Sequence, residues 1–129
     1  MAHAALADCY NQLGTVMVGT GSPARYRPLA AASVIKALQI DAGLAEAHAT
    51  LGYVRHYDLQ WEEAEREFVQ AIRLNPSYSL AHVWYANLLA GRRRFDAWFM
   101  APATSSVKTI RVEFMTRLYF ARRLRPVAL

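Results

Sequence analysis

The sequence predicts an all-α fold of about three helix-turn-helix repeats followed by a short C-terminal helix. Three observations support this prediction. Apolar residues recur at intervals of three and four, and similar short sequence segments recur at one fixed spacing. Short polar or proline-containing breaks separate the periodic stretches. The chain has 129 residues, of which 54% are apolar. It is therefore long and apolar enough to bury a core as a folded domain.

An internal repeat organises most of the chain. The segment Ala-Glu-Ala-His at residues 45–48 returns as Ser-Leu-Ala-His at residues 79–82, and we call the spacing between these two segments the repeat interval. Ala30 and Ala64 are separated by the same interval. Because two independent landmarks share this spacing of about 34 residues, each repeat interval is expected to form one helix-turn-helix unit.

The first repeat covers residues 1–44 and contains a long loop between its two helices. This loop, at residues 15–28, is rich in glycine and proline. Ser22 followed by Pro23 is typical of an N-cap and a first helical position, so a second helix is predicted to begin there.

The second repeat, residues 45–78, has the clearest pattern. Its apolar residues at helical spacing are Ala47, Leu51, Val54, Ala64, Phe68, Ala71 and Ile72. A turn is expected at residues 58–60, between two helices. Pro76 should end the second helix, because proline lacks the N–H of the helical ladder and disfavours a helical residue before it.

The third repeat begins well at residue 79 but loses the pattern after residue 97. Trp98 stands where a small residue should separate two crossing helices, and Pro102 falls within the expected second helix. Residues 98–129 therefore form a divergent segment, predicted to be helical from about residue 107.

The second repeat resembles the tetratricopeptide repeat. The matching residues are Leu51, Gly52, Ala64, Phe68, Ala71 and Pro76. His48 and Arg55 depart from the pattern, since aromatic residues usually occupy those two positions. The resemblance covers residues 2–97 and implies a right-handed solenoid that binds other proteins and has no catalytic activity. The sequence of residues 6–14 and the long loop after it resemble the repeat regions of bacterial multidomain regulators in signalling and transcription.

The resemblance also implies a binding groove, because the first helices of such repeats line the concave face of the solenoid. A protein partner, as an extended peptide or a helix, would lie along the stripe of those helices that repeat packing leaves free. The residues predicted for this groove are Asp8, Asn11, Gln12, Glu46, Ala49, Tyr53, His56, Tyr57, Val83, Asn87 and Ala90.

No catalytic, cofactor or metal site is predicted. His3, His48 and His82 occupy equivalent positions in successive repeats, roughly 10 Å apart, which is too far to share one ion. Cys9 is the only cysteine, so an internal disulfide and a multi-cysteine zinc site are excluded, and a buried apolar role is expected for it. A small-molecule substrate and an enzymatic function are not expected.

Basic residues are concentrated in the last third of the chain. Residues 92–129 contain nine Lys or Arg and two acidic residues, a net charge of +7, whereas residues 1–91 carry a net charge of −2. An alternative function is therefore binding of a nucleic acid or an anionic membrane by this segment. Around a helix over residues 107–125 the charges do not segregate from the apolar residues, which favours a terminal helix that covers the solenoid end.

The remaining expectations concern location and assembly. No stretch is long enough for a membrane span, and no signal peptide is recognisable, so a cytoplasmic protein is expected. Three repeats are about the minimum for a continuous core, and a polar capping helix is not recognisable. Self-association is therefore a further expectation.

Overall fold

The fold of the described residues is entirely helical. The computed structural model describes residues 2–13, 23–101 and 115–120. Its helices are α1 (Ala2–Leu13), α2 (Pro23–Ile40), α3 (Ala45–Tyr57), α4 (Trp61–Leu74) and α5 (Ser79–Met100), and residues 115–120 are also helical. No strand occurs within these ranges, which confirms the prediction of an all-α fold.

The chain divides into two compact units, an N-terminal unit (Met1–Leu89) and a C-terminal unit (Ala90–Leu129). Helix α5 begins in the first and ends in the second. In the N-terminal unit α1 packs on α2, α3 packs on both of them, and α4 packs on α3. Helices that follow one another in the chain are thus neighbours in space.

The buried residues of the N-terminal unit recur at the repeat interval found in the sequence. The pairs of buried residues separated by one repeat interval are Ala30 and Ala64, Val34 and Phe68, Ala37 and Ala71, Ala47 and Ala81, and Val54 and Leu88. Most of these positions hold alanine, because small side chains let the helix backbones approach closely.

Helices α3 and α4 approach each other closely at Gly52. A Cβ atom on this residue would lie 2.8 Å from two ring carbons of Phe68 and 3.2 Å from the carbonyl oxygen of Ala64. Phe68 is fully buried and cannot swing its ring into solvent. Glycine is therefore required here by the space between the helices.

The loop before α3 and the loop before α5 each contain the same type of turn. The backbone N–H of Gly43 donates to Oδ1 of Asp41 at 2.8 Å, and that of Ser77 donates to Oδ1 of Asn75 at 3.2 Å. Each side chain thus forms an Asx turn, and the two turns are separated by one repeat interval.

A histidine hydrogen bond closes each of these loops. His48 Nε2 lies 3.0 Å from the carbonyl oxygen of Ala42, and His82 Nε2 lies 2.8 Å from that of Pro76. The other ring nitrogen of His48, Nδ1, is 2.7 Å from Glu67 Oε2 on α4. Each histidine therefore ties the start of its helix to the loop before it.

The turn between α3 and α4 is a Schellman motif. The N–H of Gln60 donates to the carbonyl oxygen of Arg55 at 2.9 Å, and the N–H of Leu59 donates to that of His56 at 3.1 Å. Leu59 has a φ of 61°, in the left-handed region where glycine is the favoured residue.

Leu59→Gly is expected to be more stable than Leu59→Ala by about 1 kcal/mol, because both variants lose the leucine side chain and only glycine relieves the backbone strain. Chemical denaturation followed by circular dichroism measures the difference. Equal stability of the two variants would contradict the strained geometry at this turn.

The third repeat has no turn at the equivalent position. The repeat interval places one at residues 92–94, but α5 continues without a break to Met100. The three arginines at 92–94 are good helix formers, and Pro102 stands two residues beyond the end of α5. Of the helix predicted from about residue 107 to residue 125, residues 115–120 are helical and the remainder lies outside the described residues.

Candidate partner-binding surface

An aromatic surface forms where α3 meets α5 in the N-terminal unit. The ring centroids of Tyr53 and Tyr57 lie 4.8 Å apart, and those of Tyr53 and Trp84 are also 4.8 Å apart. His56 stacks on Tyr57 at 5.0 Å. We define the aromatic surface as these four residues together with Val83 and Asn87, which are exposed on the same stretch of α5.

Helical spacing explains how these side chains come together. Tyr53, His56 and Tyr57 are three and four residues apart, so they share one face of α3. Tyr53 and Trp84 also pack against the cluster that contains Phe68, and both are only partly exposed. The core therefore fixes the inner part of the surface, while Tyr57 and Val83 extend to solvent.

Arg27 on α2 holds the end of α3 in place. Its Nη1 donates to the carbonyl oxygen of Tyr57 at 3.0 Å and lies 3.2 Å from Oδ1 of Asp58. Its guanidinium carbon is 5.9 Å from the centroid of the Tyr57 ring. This arginine therefore satisfies a carbonyl at the C-terminus of α3 and lies over the ring of the exposed tyrosine.

Burial shifts the pKa values of Tyr53 and His56 in the directions that favour their neutral forms. Burial, followed by a hydrogen bond with Tyr57, raises the pKa of Tyr53 well above its ordinary value of 10.0. Burial lowers the pKa of His56 below its ordinary value of 6.5. Both side chains are therefore uncharged at neutral pH, and the surface offers amphipathic ring area rather than charge.

The lowered pKa of His56 predicts a loss of stability in mild acid. The unfolded chain takes up the proton first as pH falls below about 6.5, so unfolding becomes more favourable, whereas above that pH the ring is neutral in both states. We expect thermal melts of the wild type to show a larger decrease in stability between about pH 7 and pH 5 than melts of His56→Gln. An equal decrease in both proteins would contradict this assignment.

Two residues predicted for the groove are buried instead. Ala49 is fully buried against Ala71 and Ala81, because α3 is covered by α4 and α5 together. Asn11 is only 6% exposed, and neither its Oδ1 nor its Nδ2 has a hydrogen-bond partner among the described residues. The side chain of Ala49 therefore cannot touch a partner, and that of Asn11 has almost no accessible area.

The other predicted groove residues are less closely grouped. Glu46 is exposed on the first turn of α3, about two turns from Tyr53. Ala90 is exposed but belongs to the C-terminal unit. The side chains of Asp8 and Gln12 lie outside the described part of the chain. Of the predicted groove residues, the structure brings Tyr53, His56 and Tyr57 into contact, and Val83 and Asn87 are exposed on the stretch of α5 that contains Trp84.

Sequence reasoning missed Arg27 and Trp84. Trp84 directly follows a predicted groove residue, Val83, and precedes Asn87 by three residues, so a wider stripe on the helix would have included it. Arg27 gave no such signal, because its partners Tyr57 and Asp58 are about 30 residues away in sequence and no pattern links them to it.

The described residues contain no cluster of side chains that fits a metal ion: no group of three or more His, Cys, Asp or Glu could hold one there. Cys9 is exposed, which corrects the prediction that it is buried. The reason is the spacing on α1, whose buried face includes Ala7 and Asn11, whereas Cys9 lies about 200° around the helix from Ala7.

Among the described helices, none is long and apolar enough to cross a membrane.

Comparison with known proteins does not assign the chain to a family. No family model matches the chain, and neither the curated proteins nor the solved structures contain a significantly similar one.

Proposed function

We propose that the protein is a non-enzymatic interaction module that binds a peptide or a helix of a protein partner through its aromatic surface. In this proposal the N-terminal unit is a right-handed solenoid of the tetratricopeptide type. The proposed setting is a segment of a larger bacterial signalling regulator in the cytoplasm, together with self-association of the unit.

The fold part of the proposal is supported by features that recur at the repeat interval. Buried alanines, the Asx turns and the histidine-to-carbonyl bonds all return at this spacing. Helix pairs that pack on the preceding pair are the building principle of such arrays. The continuous helix α5 departs from it, so the proposed solenoid is limited to the N-terminal unit.

The binding part is carried by one observation, the contiguous rings of Tyr57, Tyr53 and Trp84, anchored in the core at one end and exposed at the other. Tyrosine and tryptophan side chains contribute large contact area with few rotatable bonds, and they are enriched among residues that dominate binding energy. His56, which stacks on Tyr57, adds a hydrogen-bonding group, and Asn87 is exposed on α5 three residues after Trp84. Such polar groups suit the backbone of an extended peptide or the polar edge of a helix.

The test is selection of binding peptides from a random displayed library against the full chain, followed by titration of the selected peptides. We expect Val83→Glu to weaken their binding about tenfold or more, because it places a charge next to Trp84 in a desolvated contact. Val69→Glu is the matched control, since Val69 on α4 is 49% exposed and Val83 is 53% exposed.

Tyr57→Ala should weaken the same peptides to a similar extent, since it removes the most exposed ring of the surface. Circular dichroism of all three variants should show wild-type helix content. Peptides that bind Val83→Glu and Tyr57→Ala as tightly as the wild type would refute the proposed surface, and so would equal weakening by Val69→Glu.

A further inference from the structure

The described part of the C-terminal unit exposes several large apolar side chains. The exposed apolar residues described in it are Trp98, Met100, Met115, Leu118 and Tyr119. An exposed apolar group of this kind on a short segment is typical of a surface that is covered by a partner or a membrane.

Phenylalanine side chains from the end of α5 and from residues 115–120 form an aromatic cluster in the same unit. The ring of Phe95 lies 5.8 Å from that of Phe99 and 5.1 Å from that of Phe120, so residues 115–120 pack against the end of α5. Within the unit, these three phenylalanines are partly buried. The exposed apolar residues therefore belong to segments whose phenylalanine side chains pack together.

Arg117 fixes the arrangement at the end of α5. Its Nη1 donates to the carbonyl oxygens of Phe99 at 2.8 Å and Ala101 at 2.7 Å. Its guanidinium carbon also lies 5.2 Å from the centroid of the Trp98 ring. These contacts satisfy carbonyl groups at the helix C-terminus and hold the indole at the surface, near Met100 in sequence.

The charge of the unit indicates what covers this surface. Residues 90–129 carry a net charge of +7, although the N-terminal unit is acidic with a net charge of −2. Arg93 and Arg94 are exposed, and Arg93 lies two helical turns before Met100 on the same face of α5. The partner should therefore combine negative charge with an apolar phase.

We propose that the C-terminal unit binds the interface of an anionic lipid bilayer, with Met100 and Met115 inserted among the headgroups and Arg93, on the Met100 side of α5, paired with a lipid phosphate. An anionic bilayer offers both the charge and the apolar phase, and tryptophan and tyrosine prefer its interfacial layer. A nucleic acid would attract the arginines but would leave the methionines and Leu118 without apolar contacts. This proposal concerns a different surface from the peptide-binding one and does not depend on it.

The test is co-sedimentation of the full chain with phosphatidylcholine vesicles, prepared with and without phosphatidylglycerol. We expect binding only to the vesicles that contain phosphatidylglycerol, weakened several-fold when the salt concentration is raised. Met100→Glu should reduce the partition coefficient about tenfold or more, because it removes an inserted side chain and adds a repelled charge. Met115→Glu is a second variant with the same expectation.

Ile40→Glu is the matched control, because Ile40 in the N-terminal unit is 73% exposed, Met100 is 74% exposed, and both substitutions change the net charge equally. It should lower the partition coefficient less than about threefold, which leaves room for the small effect of one distant charge. The proposal is overturned if the chain ignores phosphatidylglycerol, or if Ile40→Glu weakens binding as much as Met100→Glu does. Tight binding to a DNA duplex that Met100→Glu leaves unchanged, with no vesicle binding, would assign the unit to nucleic acid instead.

Discussion

Phe68→Ala is expected to lower the free energy of unfolding by about 3–5 kcal/mol. Phe68 is the largest fully buried side chain in the described structure, and it packs with Ala64 and Leu88 between α4 and α5. Truncation removes the transfer free energy of the ring and leaves a cavity that the surrounding helices can fill only in part. Urea denaturation of the variant and the wild type measures the difference.

The neighbouring residue provides the control for this substitution. Val69 is half exposed on the outer face of α4, so Val69→Ala should change the free energy of unfolding by less than about 1 kcal/mol. If the two substitutions had similar effects, Phe68 would not be the centre of the packing between these helices.

Gly52→Ala is expected to destabilise the protein by about 1–3 kcal/mol. The added methyl group would lie 2.8 Å from the Phe68 ring and 3.2 Å from the carbonyl oxygen of Ala64, and neither atom group is free to move away. This cost acts against the higher helix propensity of alanine, which is worth about 1 kcal/mol. Thermal unfolding followed by circular dichroism measures the net effect.

Gly91→Ala separates the two contributions, because a Cβ on Gly91 meets no atom within 4 Å. It should stabilise α5 by about 0.5–1 kcal/mol through helix propensity alone. A second comparison is Gly52→Ala combined with Phe68→Leu, which should cost less than the sum of the single variants, since the smaller side chain vacates the space. Stabilisation by Gly52→Ala on its own would show that the helices do not approach as closely as described.

The packing of the second repeat was predictable because its residues are constrained by size. Gly52, Ala64 and Ala71 fit only where helices cross, and the repeat interval extends the same constraint to Ala30 and Ala81. The sizes of the residues are visible in the sequence, so the two helices of this repeat and most of its buried positions could be predicted.

The candidate surface was less predictable, because exposure depends on how many helices cover a face. Ala49 has the spacing of an exposed residue on α3, but α5 approaches closely enough to bury it beside Ala81. The burial of Ala49 is decided by tertiary contacts between segments that are distant in sequence. The continuation of α5 through residues 92–94 had a local signal instead, because arginine is a good helix former, but the repeat interval predicted a turn there.

The order in which the helices pack has a consequence for how the chain folds. Because α2, α3 and α4 each contact the helix before them, most native contacts close short loops of chain, and such low contact order gives rapid folding. Each helix also depends mainly on its neighbours, so opening can begin at the outermost helix without disrupting the centre. Amide hydrogens of α3, which is held by α1, α2 and α4, should thus be the last to exchange with solvent.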